Sequence, residues 1–241
     1  MKTDKNLVIT IDGLAYVGKT TISRDLAKLL GYKFISTGWI YRCLALKVLR
    51  EGIDINNEKK VVELSEKIEI NIVPGDADFR VISDGIDITE EIYTPLIVSA
   101  TSTVSAYSGV RKNLLSIQKQ LGEQGGVVME GRDMGTVVFP NADWKFYVHA
   151  SFEVRLKRLF KLLTDEEKVK YPTPESSAKQ LQAIDERDLN RDAAPVKIPE
   201  DAIIYDNTDS PSSMQDAHIL QYYITHKEEI IKNSSRWAER K

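Results

Sequence analysis

The stretch Gly13-Leu14-Ala15-Tyr16-Val17-Gly18-Lys19-Thr20 follows a β-branched run at residues 7–12 and precedes an apolar helical pattern at residues 20–30. It matches G-x-x-x-x-G-K-[ST] at every fixed position, within the strand–loop–helix setting that this motif requires. In such a loop the backbone N–H groups face phosphate oxygens, the lysine reaches the β- and γ-phosphates, and the hydroxyl holds Mg²⁺. The stretch therefore predicts a nucleoside triphosphate site, and a chance match in a glycine turn is the lesser alternative.

The predicted ATP contacts begin at the first glycine and run one residue past the motif. They are Gly13, Leu14, Ala15, Tyr16, Val17, Gly18, Lys19, Thr20 and Thr21, with Thr20 as the metal ligand and Lys19 as a catalytic residue.

Short apolar runs alternate with helical segments along most of the chain. They lie at residues 32–35, 127–130, 145–150 and 202–205, in addition to 7–12. Alternation of this kind predicts an α/β protein of the P-loop NTPase fold, with a mostly parallel five-stranded sheet and helices on both faces. Right-handed crossovers then bring the carboxyl ends of the strands to one edge.

Two segments interrupt this pattern. Residues 56–96 alternate around Pro74-Gly75-Asp76 and Asp84-Gly85, which predicts a small antiparallel insert. The second segment is 164–194, in which residues 175–191 are charged and helical and follow a loop at 171–174. The remaining ranges, 1–55, 97–163 and 195–241, form the predicted core, and residues 227–241 are expected to be a solvated helix that frays.

Composition excludes several classes of function. The chain has 241 residues and a formal net charge of −3, which argues against a surface for polymeric nucleic acid. No run of about 18 apolar residues occurs, so no membrane span is expected. Cys43 is the single cysteine, and we expect it to be a buried packing residue. We expect a cytoplasmic monomer.

The arginines narrow the choice among proteins with such a loop. No N-K-x-D motif of a GTPase is present, and arginines occur at positions 42, 111, 132, 187 and 191. A solvated surface charge is the default for any one of them. Three, however, fall where segments meet the carboxyl edge of the predicted sheet, where open α/β folds bind ligands. This distribution favours a kinase with an anionic acceptor.

Three further motifs give the chain a specific resemblance. They are Ser36-Thr37-Gly38-Trp39-Ile40-Tyr41-Arg42, then Gly131-Arg132-Asp133-Met134-Gly135-Thr136-Val137-Val138-Phe139-Pro140, and then Arg187-Asp188-Leu189-Asn190-Arg191 with Ala194-Pro195. With the phosphate loop, they make the chain resemble the bacterial cytidylate kinase family, within the nucleoside monophosphate kinases. The resemblance covers roughly residues 7–210.

The resemblance implies an activity and a set of site residues. The activity is transfer of the γ-phosphoryl of ATP, with Mg²⁺, to CMP or dCMP, which gives CDP or dCDP and ADP. The insert would bind the acceptor, and segment 164–194 would be a lid. The implied acceptor contacts are Thr37, Tyr41, Arg42, Ser102, Arg111, Arg132, Asp133 and Asp188; Arg42, Arg187 and Arg191 join Lys19 as catalytic residues, and Arg155 and Arg158 flank ATP.

The implied pocket suits cytosine, which presents an amino donor beside two acceptors. Asp133 and Ser102 can accept from N4, and Arg132 can donate to N3 and O2. Other readings stay open for the same residues. An internal Arg132–Asp133 ion pair is one, and a surface helix carrying Arg187 and Arg191 at i, i+4 spacing is another.

Three places depart from the pattern of the family. Its loop runs Gly-Pro-Ser-Gly and ends Gly-Lys-Gly-Thr, where this chain has Leu14-Ala15-Tyr16 and Thr20-Thr21. Its second strand ends in Asp, where this chain has Ser36, so we expect no negative charge there. Its lid begins with an arginine, where this chain has Ile184, which predicts a weaker clamp on the phosphates.

Two alternatives to cytidylate kinase activity follow from these departures. The first is a related kinase for another small acceptor, such as a different pyrimidine nucleotide or a dNMP. The second is a nucleotide-binding module with little turnover.

Overall fold

The computed structural model describes residues 6–74, 79–210 and 213–226. The strands within these ranges are β1 (Val8–Asp12), β2 (Lys33–Ser36), β3 (Ile70–Pro74), β4 (Phe79–Ser83), β5 (Ile86–Asp87), β6 (Val127–Gly131), β7 (Trp144–His149) and β8 (Ile203–Asp206). The α-helices are α1 (Lys19–Leu30), α2 (Gly38–Arg50), α3 (Glu58–Ser65), α4 (Pro95–Val104), α5 (Ser108–Gly122), α6 (Phe152–Leu162), α7 (Asp165–Lys170), α8 (Ala178–Asn190) and α9 (Ser213–Thr225).

Five strands form one parallel sheet in the order β2-β6-β1-β7-β8. Every residue of β6 is buried, and so are four of the five residues of β1. Strands that are buried along their whole length are typical of a parallel sheet with helices on both faces. The predicted α/β architecture with a five-stranded parallel sheet is confirmed.

Helices complete the core on either side of the sheet. Ile22 and Leu26 of α1 are fully buried and face the sheet, and α1 also packs against α9. In α2 the buried residues include Cys43, whose side chain is 1% exposed, as expected for a packing residue. None of the helices in the described ranges is both long and apolar enough to cross a membrane.

Residues 56–96 contain the predicted antiparallel sheet, β3-β4-β5. Asp84 and Gly85 form its two-residue turn with φ values of 49° and 80°, as a hairpin turn with two left-handed residues requires. Helix α3 precedes the sheet and was not predicted. Its sequence signal is Asn57, whose side chain caps the helix by accepting from the N–H of Lys60.

An aromatic cluster joins the insert to the core. Phe79 of β4 lies 5.8 Å from Trp39 and 6.2 Å from Phe34, measured between ring centroids. Trp39 and Phe34 are themselves 5.4 Å apart in an edge-to-face arrangement. The antiparallel sheet therefore packs directly beside the start of α2.

The helix predicted within 175–191 is present as α8, and α7, which was not predicted, precedes it. Leu181 of α8 is fully buried in a small apolar cluster with Ala15, Leu156, Leu159 and Leu163. We call this group the lid cluster, because it joins α8 to α6 and to the phosphate loop. The predicted helix at 227–241 lies outside the described residues.

Gly13 lies where the phosphate loop leaves β1. Its φ is +150°, and a Cβ at this position would be 2.1 Å from the carbonyl oxygen of Val148 in β7. Gly31, which ends α1, also has a positive φ of +69°, but a Cβ there would meet nothing within 4 Å. A side chain at Gly31 would meet backbone strain alone, whereas a side chain at Gly13 would meet both backbone strain and a steric clash.

We expect Gly13→Ala to lower the free energy of unfolding by more than about 3 kcal/mol, because backbone must move in the central sheet. Gly31→Ala is the matched control and should cost about 1 kcal/mol, from the left-handed backbone alone. Urea unfolding of both variants measures the difference. Equal losses would contradict the close approach of Gly13 to Val148.

Candidate active site

A cavity of about 990 Å³ opens along the carboxyl edge of the parallel sheet, between the phosphate loop, α2, α4 and α8. All eight predicted acceptor residues line it: Thr37, Tyr41, Arg42, Ser102, Arg111, Arg132, Asp133 and Asp188. Seven of the predicted ATP contacts do so as well, and so does the predicted catalytic residue Arg187; the seven are Ala15, Tyr16, Gly18, Lys19, Thr20, Thr21 and Arg158. The lining does not include Gly13, Leu14, Val17, Arg155 or Arg191.

Side chains from outside the phosphate loop hold its backbone carbonyls. Arg155 donates from Nε to the carbonyl of Ala15 at 3.0 Å. Arg158 donates to the carbonyl of Val17 at 2.9 Å, and Asn207 donates to the same oxygen at 2.7 Å. With these carbonyls occupied, the loop keeps its shape and leaves its N–H groups for an anion.

Asp12 ties the loop to the motif at residues 131–140. Its carboxylate accepts from the N–H of Met134 at 2.8 Å and from the N–H of Gly135 at 2.7 Å. Burial raises the pKa of Asp12 to about 6, although these two hydrogen bonds favour the charged form. At neutral pH Asp12 is a carboxylate that fixes the position of the turn after β6.

Three oxygen-bearing side chains meet beside the loop. Glu130, the fourth residue of β6, accepts from Thr20 Oγ1 at 3.2 Å, and Ser36 Oγ donates to the same carboxylate oxygen. The expectation that Ser36 leaves this site without a negative charge is therefore wrong. The carboxylate comes from the neighbouring strand, and the hydroxyl of Ser36 holds it in place.

Lys19 is buried at 5% exposure and donates to the carbonyl of Leu14 at 2.7 Å. Burial lowers the pKa of Lys19 to about 7, and the charge of Arg132 acts in the same direction. Glu130, Asp188 and Asp12 oppose this shift. Near neutral pH a substantial fraction of Lys19 is therefore uncharged before an anion arrives.

Buried ion pairs organise the acceptor side. Arg111 and Asp133 are almost wholly buried and 2.5 Å apart, and the Arg111 guanidinium lies 5.2 Å from the centroid of the Tyr41 ring. Arg132 Nε donates to Asp188 at 2.8 Å. Asp133 thus pairs with Arg111, and the internal Arg132–Asp133 ion pair that the sequence left open is not formed.

Arg42 projects from α2 and lies 5.3 Å from the centroid of the Tyr93 ring. Burial lowers the pKa of Arg42, and nearby Tyr93, Glu130 and Tyr16 oppose the shift. Thr37, which precedes α2, donates from its hydroxyl to the carbonyl of Glu130 at 3.0 Å. The first turn of α2 is therefore fixed against the end of β6.

The arginines around α8 differ in their surroundings. Arg187 is exposed and donates to the hydroxyl of Ser102 on α4. Arg191 follows the helix in an extended conformation, is 8% exposed, and donates to the carbonyl of Ala194 at 2.9 Å and 2.7 Å. The alternative of a surface helix that carries both arginines is therefore wrong, because Arg191 lies after the helix and is buried. The catalytic role of Arg191 stays a prediction.

Helix α8 is also linked to the phosphate loop. Arg155, which binds the Ala15 carbonyl, pairs with Asp185 of α8 at 2.5 Å. Arg155 is 4% exposed and lies beneath the loop. Its contacts support the loop and α8, and its predicted contact with ATP stays a prediction.

Comparison with known proteins identifies the family. The sequence pattern that describes cytidylate kinases matches residues 9–224. This chain belongs to the cytidylate kinase family. A cytidylate kinase from Caldanaerobacter subterraneus subsp. tengcongensis is 43% identical over 202 residues, which are 83% of this chain and 87% of that protein. A cytidylate kinase from Caldicellulosiruptor bescii is 38% identical over 229 residues, which are 95% of this chain and 99% of that protein.

A solved structure shares the fold at much lower identity. Shikimate kinase from Bacteroides thetaiotaomicron superposes with a TM-score of 0.50 at 12% identity, and the match covers 91% of this chain and 98% of that one. This likeness supports the P-loop kinase fold alone.

Sequence reasoning missed several residues of this cytidylate kinase family site. Glu130, Tyr93 and Asn207 line the cavity, and Asp12 lies beneath it. Two of them had a usable signal, because Asp12 and Glu130 stand at the carboxyl ends of buried strands that meet at one edge. Tyr93 ends a short 3₁₀ helix and Asn207 follows β8, and only tertiary packing brings them to the site.

The shifted pKa of Lys19 makes a prediction about ATP binding. At pH 8 most of the free protein should carry neutral Lys19, whereas bound ATP favours the charged form, so binding should take up as much as about one proton. At pH 6 Lys19 is already protonated, and its uptake should vanish. Titration calorimetry in buffers of different ionisation enthalpy measures the proton count.

Lys19→Arg is the matched control, because arginine stays protonated throughout this range. It should bind ATP at pH 8 with little proton uptake. The lowered pKa of Lys19 would be contradicted if the wild type took up no proton at pH 8, or if Lys19→Arg took up as much as the wild type.

Proposed function

We propose that this protein is an ATP-dependent nucleoside monophosphate kinase that transfers the γ-phosphoryl group of ATP to CMP and dCMP, giving CDP or dCDP and ADP. The observation that carries the proposal is one cavity with a phosphate loop at one end and eight predicted acceptor residues along its walls. Its volume, about 990 Å³, lies at the top of the range of small-molecule pockets and suits two nucleotides. Membership of the cytidylate kinase family supports the same acceptor.

The donor end would bind the phosphates of ATP. Backbone N–H groups of residues 13–20 and the N-terminus of α1 would surround the β-phosphate, and Lys19 would move from the Leu14 carbonyl to the β- and γ-oxygens. Arg158 lines the cavity beside the loop and would flank the nucleotide.

The acceptor end would bind the phosphate and base of CMP. Arg42 would clamp the phosphate, with Thr37 and Tyr41 beside it. Asp133 and Ser102 would accept from N4 of cytosine, and Arg132 would donate to N3 and O2. Asp188, which holds Arg132, would lie near the sugar.

Discrimination against uracil follows from this pocket. Uracil carries an acceptor where cytosine has its amino group, so Asp133 would face a second acceptor. An unsatisfied buried group costs about 1–3 kcal/mol. The Arg111–Asp133 pair strengthens the argument, because a buried carboxylate held at 2.5 Å by an arginine cannot readily turn away.

The chemistry needs no general base, because the attacking oxygen belongs to a phosphate that is already ionised. A bond forms between this oxygen and the γ-phosphorus, and the bond from the γ-phosphorus to the bridging oxygen breaks, so the electron pair leaves with ADP. Lys19, Arg42, Arg187 and Arg191 are the predicted catalytic residues. Their contribution is to position the reactants and neutralise charge.

Thr20, Ser36 and Glu130 fit a hard divalent cation such as Mg²⁺. The hydroxyls of Thr20 and Ser36 both donate to the same carboxylate oxygen of Glu130. The three side chains therefore offer only oxygen ligands, which this ion prefers. Thr20 would bind it, and Glu130 would bind or orient its shell. When bound, Mg²⁺ neutralises charge on the β- and γ-phosphates of ATP.

We further infer that the enzyme acts as a monomer in the cytoplasm. The single cysteine, Cys43, excludes an intrachain disulfide, which agrees with an intracellular enzyme.

The proposal is tested by following ADP release with ATP and Mg²⁺ against CMP, dCMP, UMP, AMP and dTMP. We expect CMP to exceed UMP in kcat/KM by about tenfold or more, as the cost of one unsatisfied group implies. Fast turnover with another acceptor instead of CMP would favour the divergent kinase. Tight ATP binding without ADP release for any acceptor would favour the binding module and defeat the enzyme claim.

The proposed metal site makes a separate prediction. Glu130→Gln keeps the shape and the hydrogen bonds to Thr20 and Ser36 but removes the charge. We expect the half-saturating Mg²⁺ concentration to rise about tenfold, with a smaller change in kcat at saturating Mg²⁺. Glu153→Gln, at the exposed start of α6, is the control and should match the wild type. An unchanged Mg²⁺ requirement in Glu130→Gln would remove Glu130 from the site.

A further inference from the structure

Gln118 is a buried polar residue of α5 that does not line the cavity. It is 1% exposed, on a helix face that also buries Val110 and Leu114. Its Nε2 donates to the Tyr41 hydroxyl at 3.2 Å and to the Leu114 carbonyl at 3.3 Å. Its Oε1 is buried with no partner among the described residues, which costs stability. A buried amide with an unsatisfied oxygen calls for a role other than packing.

The Leu114 carbonyl sets the orientation of this amide. A carbonyl can only accept a hydrogen bond, so the end of the Gln118 side chain that faces it is the NH₂ group. The same group faces the Tyr41 hydroxyl, which therefore accepts from Gln118. The polar end of the Tyr41 ring is thus held by a donor whose own position is fixed by the backbone of α5.

The face of the same ring lies against Arg111. The Arg111 guanidinium is 5.2 Å from the centroid of the Tyr41 ring. Arg111 and Gln118 are seven residues apart on α5, which places them two turns apart on the same helix face. A cation over an aromatic ring is attracted more strongly where water is excluded, and Tyr41 and Arg111 are both buried. The position of the ring therefore matters for the position of the guanidinium.

Few other groups hold the Arg111 guanidinium. One terminal nitrogen donates to the carbonyl of Ser105 at 3.1 Å, and the other pairs with Asp133 at 2.5 Å. The Nε of Arg111 is buried and has no partner in the part of the chain that the structure describes. A carbonyl, a carboxylate and the Tyr41 ring therefore fix this side chain. If the ring shifted, the guanidinium could turn about its two remaining contacts, and Asp133 would follow it.

Asp133 has one oxygen for Arg111 and one for a ligand. Oδ2 pairs with Arg111, whereas Oδ1 accepts no hydrogen bond from any residue that the structure describes. Asp133 lines the cavity at 4% exposure. In the proposed function, Asp133 accepts from N4 of cytosine, and uracil presents an acceptor at that place. Selection of the base would then depend on where Oδ1 lies.

We propose that Gln118 is a positioning residue for selection of the acceptor base. It holds the Tyr41 ring, which fixes Arg111, and Arg111 in turn positions the Oδ1 of Asp133. This inference rests on the proposed function, because it concerns how CMP is distinguished from UMP. Gln118 does not line the cavity, so its effect passes through Tyr41. It therefore acts on the choice of acceptor more than on the rate of phosphoryl transfer to CMP.

The ratio of kcat/KM for CMP to kcat/KM for UMP tests the inference in Gln118→Met, which keeps the length of the side chain and removes the amide. We expect this ratio to fall about fivefold, while kcat with CMP changes by less than about twofold. Tyr41→Phe keeps the ring, removes the hydroxyl and should lower the ratio as well. Because both changes break the same hydrogen bond, adding Gln118→Met to Tyr41→Phe should lower the ratio no further.

Asn113→Ala is the matched control on the same helix. Asn113 donates to the Val62 carbonyl at 3.3 Å and to Ser65 Oγ at 2.8 Å, on the side of α5 that contacts α3. This variant should be less stable than the wild type and keep the wild-type ratio, because a loss of folded protein lowers both kcat/KM values alike. In urea unfolding the double variant Tyr41→Phe/Gln118→Met should be close to the wild type, since both partners are replaced by apolar groups of similar shape.

Three results would overturn the inference. They are a wild-type ratio in Gln118→Met, an equal fall of the ratio in Asn113→Ala, and effects of Gln118→Met and Tyr41→Phe that multiply in the double variant. If the wild type prefers CMP to UMP and Gln118→Met does so equally, only the role of Gln118 fails. If the wild type phosphorylates another acceptor instead of CMP, the proposed function fails first, and this inference fails with it.

Discussion

The site depends on hydrogen bonds that side chains from elsewhere in the chain donate to backbone carbonyls of the phosphate loop. Arg155, Arg158 and Asn207 each donate to such a carbonyl, and Asp12 holds the neighbouring turn after β6 through two N–H groups. A loop of this kind must point its N–H groups at one small volume, and the left-handed residues that allow this are costly. The residues that bind its outer side therefore determine its shape as much as the glycines do.

The same principle organises the acceptor side, where charged groups are held in pairs before any ligand binds. Arg111 with Asp133 and Arg132 with Asp188 are buried or partly buried pairs at 2.5 Å and 2.8 Å. Separating charges in a buried setting is costly, so each member has a defined position. In the proposed function, such a pocket would recognise the base by fixed donors and acceptors and would reorganise little when the base binds.

Much of the fold could be predicted from the sequence, because its signals are local. The loop at 13–20, the apolar runs of the parallel strands and the Asp84-Gly85 turn each carry their own evidence. Helix α3 was missed because an eight-residue helix with one cap residue, Asn57, gives a weak signal beside the alternating runs that follow.

The site was predicted less completely, because its contacts are long-range. The residue types around the cavity were recognised, but the partners were not: Glu130 lies 94 positions from Ser36, and Asp133 lies 22 from Arg111. The sequence places Glu130 at the carboxyl edge of the sheet, but it does not show which residue of β2 this carboxylate contacts. Only the parallel register, which sets Ser36 opposite Glu130, brings the two together.

The burial of Cys43 has a consequence for redox chemistry. Its side chain is enclosed in α2, and burial raises the pKa of the thiol to about 12, so almost none of it is thiolate at neutral pH. Oxidants and alkylating reagents attack the thiolate, which leaves this thiol inert in the folded protein. The natural chain is therefore a ready background for attaching a spectroscopic label through a cysteine introduced on its surface.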